Sequence, residues 1–360
     1  MNLIQGSIRP ALKNYLEFLT VTYLPKARSE VGVSNNPAGA ACYQAQIRYH
    51  TDVNKTADEI HRIGIEELAR LRSQMLTLAE SEGYGSIGDY FAALKEDKSQ
   101  YVQNRQQLVD HNRALVDKAT DALPQAFGIL PKAPIEVTPI ESFREKDAPA
   151  AYYYSAADDG TRPAQYFINT YKPETRPLYN MEALAYHEAV PGHHLQIAIA
   201  QALRMPDIRR HTHFTSYVEG WALYAELVAD ELGLYSSAAT KLGMLNYQAW
   251  RAARLVVDTG MHALGWTRQQ AIDFMKDKLV LPESEIVNEI DRYIIWPGQA
   301  LAYMMGRMEI QALRRTVEAK QGSTFDRRKF HDVVLENGAV PLGVLRELVS
   351  DAFELNGSPP

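Results

Sequence analysis

One segment restricts the local structure of this 360-residue chain more than any other. Residues 186–194 read Tyr-His-Glu-Ala-Val-Pro-Gly-His-His, so a helix-favouring stretch is interrupted by a proline and then a glycine. Proline lacks an N–H group and its ring clashes with the preceding turn, whereas glycine accepts unusual backbone angles. The sequence therefore predicts a helix with a local bulge between His187 and His193.

This segment is an expanded form of the His-Glu-x-x-His motif, in which two histidines on one helix face share a zinc ion. His187 and His193 are six residues apart, so on an undistorted helix their rings would point to different sides. A bulge at residues 191–192 would return His193 to the metal face. His194 stays open as the alternative ligand, although a supporting role beside the ligands is the preferred interpretation.

A catalytic zinc site has three protein ligands and one open position. Glu219 is the candidate third ligand, because it lies in an apolar and aromatic helical stretch where an unpaired carboxylate would be costly. Glu226, two turns further on, is predicted to orient a ligand histidine through its other ring nitrogen. Glu188 projects about 100° away from His187, which suits a general base facing activated water. These residues predict one Zn²⁺ per chain.

Residues 291–306 offer donors for an oxyanion, because two tyrosines flank a Pro-Gly break. Tyr303 is preferred as the catalytic donor, while Tyr293 and Arg292 are assigned to substrate binding. The alternative for either tyrosine is simple packing, since the chain contains 20 tyrosines.

Arginine, aspartate and histidine side chains share one face of residues 251–262 at helical spacing. In the functional interpretation this face is a cleft wall, where Arg254 receives a substrate carboxylate and His262 assists the oxyanion. The alternative is a ladder of ion pairs on a solvated surface.

Residues 135–171 contain three stretches rich in β-branched and aromatic residues, with an Asp-Asp-Gly turn signal at 158–160. They predict a small, mostly antiparallel sheet just before the metal-binding helix. A free edge along residues 165–169 would pair with an extended peptide, and Asn169 is assigned to substrate binding on that basis. An ordinary strand in the sheet interior is the alternative.

The rest of the pattern is helical. Thr56 and Glu59 form a predicted capping box at the start of a long helix, and two further helices are expected around residues 87–94 and 101–123. The predicted organisation is an N-terminal helical layer over residues 1–130, followed by the sheet and a catalytic helical region over residues 131–360. The two parts are expected to form one compact unit.

The net charge of −6 and the absence of a long basic block argue against nucleic acid as a partner. No uncharged apolar run approaches the ~20 residues that would cross a bilayer. The lone Cys42 excludes an intrachain disulfide. The expected partner is therefore a small molecule or a peptide.

Four ordered segments resemble the bacterial domain of unknown function 885 family, which looks related to the gluzincin metallopeptidases. They lie at residues 187–193, 219–224, 258–262 and 297–303. The resemblance implies a mainly α-helical, zincin-like metallopeptidase fold and supports the same three ligands and the same base. Family members usually carry a further N-terminal helical region, often behind a secretion or lipoprotein signal. The chain is thus expected to be N-terminally truncated relative to the family, with periplasmic or lipoprotein-anchored relatives and a cytoplasmic setting also open.

The leading hypothesis is a zinc-dependent hydrolase that cleaves peptide bonds in short peptides. The alternative from another class is a non-catalytic protein in which zinc stabilises the helices and a peptide docks without turnover. Hydrolysis of a non-peptide amide is a third hypothesis. A Glu188→Gln change distinguishes the first two, because only an enzyme would retain zinc and lose turnover.

Overall fold

Helices make up most of residues 2–355, the part of the chain that the computed structural model describes. The α-helices are α1 (Arg9–Glu17), α2 (Gly39–Thr51), α3 (Ala57–Ser81), α4 (Ile87–Glu96), α5 (Arg105–Ala122), α6 (Met181–Glu188), α7 (His193–Ala202), α8 (Asp207–His211), α9 (Thr215–Glu231), α10 (Ala238–His262), α11 (Arg268–Lys278), α12 (Glu283–Ile295), α13 (Ala302–Gln321), α14 (Arg327–Leu335) and α15 (Leu342–Ala352). The strands are β1 (Ile135–Pro139), β2 (Ala151–Tyr154) and β3 (Ala164–Ile168). The mainly helical class predicted from the sequence is confirmed.

The long helix α3 begins with the predicted capping box. The backbone N–H of Glu59 donates to the Thr56 hydroxyl at 3.3 Å, and the Glu59 carboxylate accepts from the Thr56 N–H at 2.7 Å. Two backbone donors that a helix start leaves unpaired are thereby satisfied. Helices α4 and α5 also form where the hydrophobic spacing predicts them.

The three strands form one mixed sheet in the order β1-β3-β2. Strands β1 and β3 run parallel, with Val137 opposite Tyr166, whereas β2 and β3 run antiparallel, with Tyr153 opposite Tyr166. The strand positions predicted from the sequence are confirmed, but the prediction of a mostly antiparallel sheet is wrong. The local alternation of residue types shows that a segment is extended. It does not determine which distant strand pairs with that segment, or in which direction.

The hydrophobic core is continuous between the two predicted parts of the chain. Helix α3 packs along α10, and α5 packs on α6 and β1. Buried side chains such as Phe91 from the first part and Trp221 from the second belong to the same cluster. Within residues 2–355, the two predicted parts of the chain therefore share one core.

Helices α9 and α13 cross with their backbones in contact. The crossing point is formed by Gly220 and Gly306, and a Cβ atom added to Gly306 would lie 1.8 Å from the carbonyl oxygen of Ser216. Only a residue without a side chain fits there. The crossing brings the start of α13, which carries Tyr303, next to the turn of α9 that carries Glu219.

The N-terminal helical segment contrasts with this core. Helix α1 is flanked by π-helical turns at Ile4–Ile8 and Phe18–Tyr23, and large apolar side chains along all three pieces are exposed. Every helix within residues 2–355 is too short or too polar to span a lipid bilayer.

Candidate metal centre

The end of α6, the start of α7 and the first half of α9 converge on one point. His187, His193 and Glu219 each offer a ligand atom there, and these atoms all lie within 4.8 Å of one another. Nε2 of His187 is 3.6 Å from Oε2 of Glu219, and Nε2 of His193 is 3.4 Å from the same oxygen. The structure therefore brings together the three residues that the sequence selects as ligands.

A break in the helix, rather than a bulge, produces this convergence. Helix α6 ends at Glu188 and α7 begins at His193, with a tight turn between them. A Cβ atom on Gly192 would lie 1.9 Å from the carbonyl oxygen of His187, so the turn requires glycine at this position. The indole N–H of Trp221 donates to the Pro191 carbonyl at 3.0 Å and ties the turn to α9. The prediction of one bulged helix is thus corrected to two helices joined by a turn.

Behind the ligands, Glu226 holds His187 in place. Nδ1 of His187 lies 2.8 Å from Oε1 of Glu226, and because a carboxylate only accepts, Nδ1 carries the proton. Gln248 donates to the other oxygen of Glu226 at 2.7 Å and to the Leu223 carbonyl at 3.0 Å. This leaves Nε2 of His187 facing Glu219. The predicted position of Glu226 agrees with this contact, but nothing in the sequence marked Gln248 among the residues of a long helix.

The buried charges of the site influence one another strongly. Burial alone would lower the pKa of His187, but hydrogen bonds with Glu219 and Glu226 outweigh burial and raise the pKa to about 9. Burial would raise the pKa of Glu219, but the neighbouring His193 and His187 hold it well below its usual range. Glu219 is therefore ionised. The carboxylates of Glu219 and Glu226 together make this site favourable for a cation.

His194 points elsewhere. Its Nδ1 lies 3.1 Å from the Tyr153 hydroxyl, and its Nε2 lies 3.0 Å from the carbonyl oxygen of Ala133. Burial lowers the pKa of His194 to about 4. Both ring nitrogens connect α7 to the sheet and to the loop before it, so His194 neither joins the ligand cluster nor bonds to its members. Of the two histidines left open by the sequence, the geometry favours His193.

Glu188 is the last residue of α6 and is half-buried beside the cluster. Its carboxylate contributes to the raised pKa of His187. Burial and then the charge of Glu188 raise the pKa of the Tyr166 hydroxyl in the sheet. The charge of Glu188 thus acts both on the ligand histidine and on Tyr166 of the central strand β3.

Tyr303 lies at the start of α13, three residues before the crossing point with α9 at Gly306. The Arg254 guanidinium stacks over its ring at 4.6 Å, and Gln299 donates weakly to its hydroxyl at 3.4 Å. Burial and then the charge of Glu219 raise the pKa of Tyr303. The hydroxyl therefore stays protonated and is available as a hydrogen-bond donor.

A comparison with known protein families identifies the family of this chain. The profile of a family described as bacterial protein of unknown function (DUF885) matches residues 2–349. This chain is a member of the DUF885 family. The crystal structure of a "putative lipoprotein" from Colwellia psychrerythraea matches with a TM-score of 0.95 and 37% sequence identity. That match covers 99% of this DUF885 chain and 62% of the Colwellia chain.

A "putative lipoprotein of unknown function" from Shewanella oneidensis matches with a TM-score of 0.78 and 19% identity, which shows a shared fold. The match covers 94% of this chain and 64% of the Shewanella chain. This DUF885 member therefore spans less than two thirds of the length of either structure. A comparison with curated proteins finds no match.

Two residues assigned to the site prove to be structural in this DUF885 fold. His262 is fully buried, with Nδ1 accepting from the Val33 N–H at 3.1 Å and Nε2 donating to the Tyr293 carbonyl at 3.0 Å. The Tyr293 hydroxyl donates to Glu289 and accepts from Trp250 and Arg254. Because these polar atoms are already bonded within the protein, the assignments of His262 to the oxyanion and Tyr293 to substrate are wrong.

Asn169 is also structural. Its side-chain amide donates to the carbonyls of Glu145, Ala148 and Pro149, and its oxygen accepts from the Tyr171 N–H. The preceding strand β3 is the central strand, so it has no free edge for a peptide. The prediction of substrate binding along residues 165–169 is wrong, and the alternative of a sheet interior is confirmed.

The predicted substrate arginines do lie together. Arg254 donates to Oε2 of Glu289 at 3.0 Å, and Arg292 donates to both oxygens of Glu289 at 3.0 Å. Arg292 also donates to Gln299 at 2.7 Å. The face of α10 that carries Arg254 is buried, so the alternative of a solvated ion-pair ladder is wrong.

Proposed function

We propose that this chain is a zinc-dependent hydrolase that cleaves peptide bonds in short peptides. The observation that carries the proposal is the convergence of His187, His193 and Glu219 within 4.8 Å. Two histidines and one glutamate are the ligand set of catalytic zinc in several metallopeptidases. The His-Glu-x-x-His motif carries both ligand histidines on one helix, whereas here a tight turn brings His193 of α7 back to His187 of α6.

The chemistry of the donors fits zinc. Nε2 of both histidines lies within 3.6 Å of the same carboxylate oxygen. His187 would lose its Nε2 proton when zinc binds, while its Nδ1–H would continue to donate to Glu226. When bound, zinc supplies Lewis acidity that activates water and polarises a carbonyl group. The two carboxylates Glu219 and Glu226 offset the charge of such a cation in a buried place.

Two side chains carry the proton transfer and the charge stabilisation in this proposal. Glu188 accepts a proton from the attacking water and returns it to the leaving amine. Tyr303, whose hydroxyl stays protonated, donates a hydrogen bond to the carbonyl oxygen as negative charge develops on it. They approach the ligand cluster from different elements, α6 and α13.

The test is turnover of a short-peptide library by the zinc-loaded protein, with products identified by mass spectrometry. Glu188→Gln should retain zinc and lose turnover by roughly 10²- to 10⁴-fold, because general-base catalysis contributes about that factor. Glu182→Gln is a matched control on the same helix, since Glu182 accepts from Ser236 outside the ligand cluster. If the wild type and Glu188→Gln bind peptides equally well and neither forms products, the result would instead indicate a zinc-stabilised binding protein.

Non-peptide amides form a second arm of the same experiment. Cleavage of such amides together with inertness toward every peptide in the library would contradict the proposed substrate class while leaving the chemistry of the site intact.

A further inference from the structure

Basic side chains gather beside the candidate metal centre on α10, on α12 and on the segment before α6. Four guanidinium groups share this cluster with two carboxylates, and its members are Arg176, Arg251, Arg254, Arg292, Glu285 and Glu289. Arg176 also interacts with Glu145, and Arg292 interacts with Asp258, so the charged groups extend beyond these six residues.

Two of the arginines are buried and incompletely paired. Arg251 is 6% exposed and Arg254 is 4% exposed, and both guanidinium groups pack on the indole of Trp250, at 4.8 Å and 4.6 Å. Among residues 2–355, no hydrogen-bond partner lies within reach of Nε of Arg251 or Nη1 of Arg254. A buried charged donor without an acceptor is costly, which indicates that an anionic ligand completes the site.

Neither carboxylate of the cluster accepts a hydrogen bond from Nε of Arg251 or Nη1 of Arg254. Glu289 is engaged by Arg254, Arg292 and the Tyr293 hydroxyl. Glu285 is close enough to Arg251 and Arg254 to interact electrostatically with both. Arg251 itself makes only a long bond of 3.4 Å to the Tyr247 carbonyl. The Arg251 guanidinium is therefore held only weakly by hydrogen bonds within residues 2–355.

Two tyrosines connect the arginines with the metal centre. Arg254 stacks over Tyr303, whose hydroxyl is influenced by the charge of Glu219. Arg251 stacks over Tyr247, which is influenced by the charge of Glu226. Tyr303 lies three residues before Gly306, which contacts Gly220 beside Glu219, so the Tyr303 ring connects Arg254 with the turn of α9 that carries Glu219.

We propose that Arg251 and Arg254 bind the C-terminal carboxylate of the peptide substrate, so that the site selects peptides by their free C-terminal end. A planar guanidinium binds a carboxylate through two parallel hydrogen bonds, which gives both affinity and orientation. The inference rests on the proposed function, because it names the substrate class of that same site. An acidic side chain carries the same carboxylate chemistry, so the test separates the two sources.

The experiment is calorimetric binding to zinc-loaded Glu188→Gln protein, which makes the readout independent of turnover. The probes are acetyl-Ala-Phe, its C-terminal amide, and the amide of acetyl-Glu-Phe. Acetyl-Ala-Phe should bind roughly tenfold to a hundredfold more tightly than its amide, the range of a charge-assisted hydrogen-bond pair. The amide of acetyl-Glu-Phe should bind no better than the amide of acetyl-Ala-Phe.

Adding Arg251→Gln should abolish the preference for the free acid while leaving affinity for the amide unchanged. Arg251→Lys keeps the charge without the planar fork and should retain part of the preference, which guards against a folding defect in the glutamine variant. Arg314→Gln is the matched control. Arg314 lies on α13, where it forms ion pairs with Glu231 of α9 and with Glu318. It should keep the full preference.

Equal affinity for the acid and its amide, or an equal loss of both in Arg251→Gln, would overturn the inference. Tight binding of the acetyl-Glu-Phe amide would overturn the assignment to the chain end. An acid preference that depends on Arg251, in a protein that cleaves no peptide, would support the subsite and contradict the proposed function. Turnover without any acid preference would support the proposed function and contradict the subsite.

Discussion

Glu226 on α9 lies 2.8 Å from the Nδ1 atom of His187, and its other oxygen accepts from Gln248 on α10. Three helices therefore fix the orientation of one histidine ring. This contact sets the direction of Nε2, the atom that faces Glu219 and would bind a metal.

Replacing Glu226 should weaken zinc binding without removing a ligand. Glu226→Gln is expected to lower zinc affinity roughly tenfold to a hundredfold, because supporting carboxylates contribute about that factor to metal sites. Competition with a chromophoric chelator measures the affinity. Glu231→Gln, near the end of the same helix, is the control and should bind zinc like the wild type. Unchanged affinity in Glu226→Gln would contradict the orienting role.

The crossing of α9 and α13 is sterically restricted at Gly306. Gly306→Ala should lower the free energy of unfolding by about 1–3 kcal/mol, because the new Cβ meets the Ser216 carbonyl and the helices must separate. Urea unfolding measures the change. Gly343→Ala on α15 is the control, since its Cβ meets nothing within 4 Å and should be neutral or stabilising. Equal effects in the two variants would show that the close crossing is unimportant.

The hydrogen bond from Trp221 holds the turn between the two ligand histidines. Trp221→Phe leaves the Pro191 carbonyl without its indole donor in a buried place and should cost about 1–3 kcal/mol of stability. Zinc affinity should fall as well, because the turn positions His193. Chemical unfolding and chelator competition measure the two effects. Trp296→Phe, at a half-exposed tryptophan, should change neither.

A buried histidine predicts how stability depends on pH. Burial, assisted by the charges of Arg314 and Arg327, lowers the pKa of His331 to about 3. The unfolded chain binds this proton near pH 6.5, so stability present above that pH is lost as the pH falls toward 3. The loss amounts to about 1.4 kcal/mol per pH unit within this window.

Urea unfolding of wild type and His331→Gln between pH 7 and pH 4 measures this contribution. The variant should be less stable at pH 7, because His331 bonds to Tyr224 and to the Ala126 carbonyl. Its stability should fall less steeply with acidification. Parallel curves for the two proteins would contradict a neutral buried His331.

Local signals in the sequence predict the positions of the helices and strands, and they select three side chains that the structure brings together. The capping box at Thr56 and the strands within residues 135–168 depend on residues that are close together in the sequence. The sequence alone therefore predicts them. His187, His193 and Glu219 were selected by residue type, spacing and the cost of a buried carboxylate. The structure brings these three side chains together.

Other features depend on contacts between distant segments, which periodicity does not reveal. His262 shares a helix face with Arg254, yet its nitrogens are bonded to Val33 and to the Tyr293 backbone. Gln248 has no distinguishing neighbours in the sequence, although it lies against Glu226. The parallel pairing of β1 with β3 likewise joins strands that β2 separates along the chain.

Metal content per chain is the most direct test of the central claim. Protein purified without a histidine tag or added metal, then loaded with zinc and dialysed, should contain about one zinc per chain by elemental analysis. His193→Ala and Glu219→Ala should lose it, whereas His194→Ala, a matched change at the next residue, should keep it. Wild-type protein that retains no zinc, or that loses zinc in His194→Ala and not in His193→Ala, would contradict the proposed metal centre.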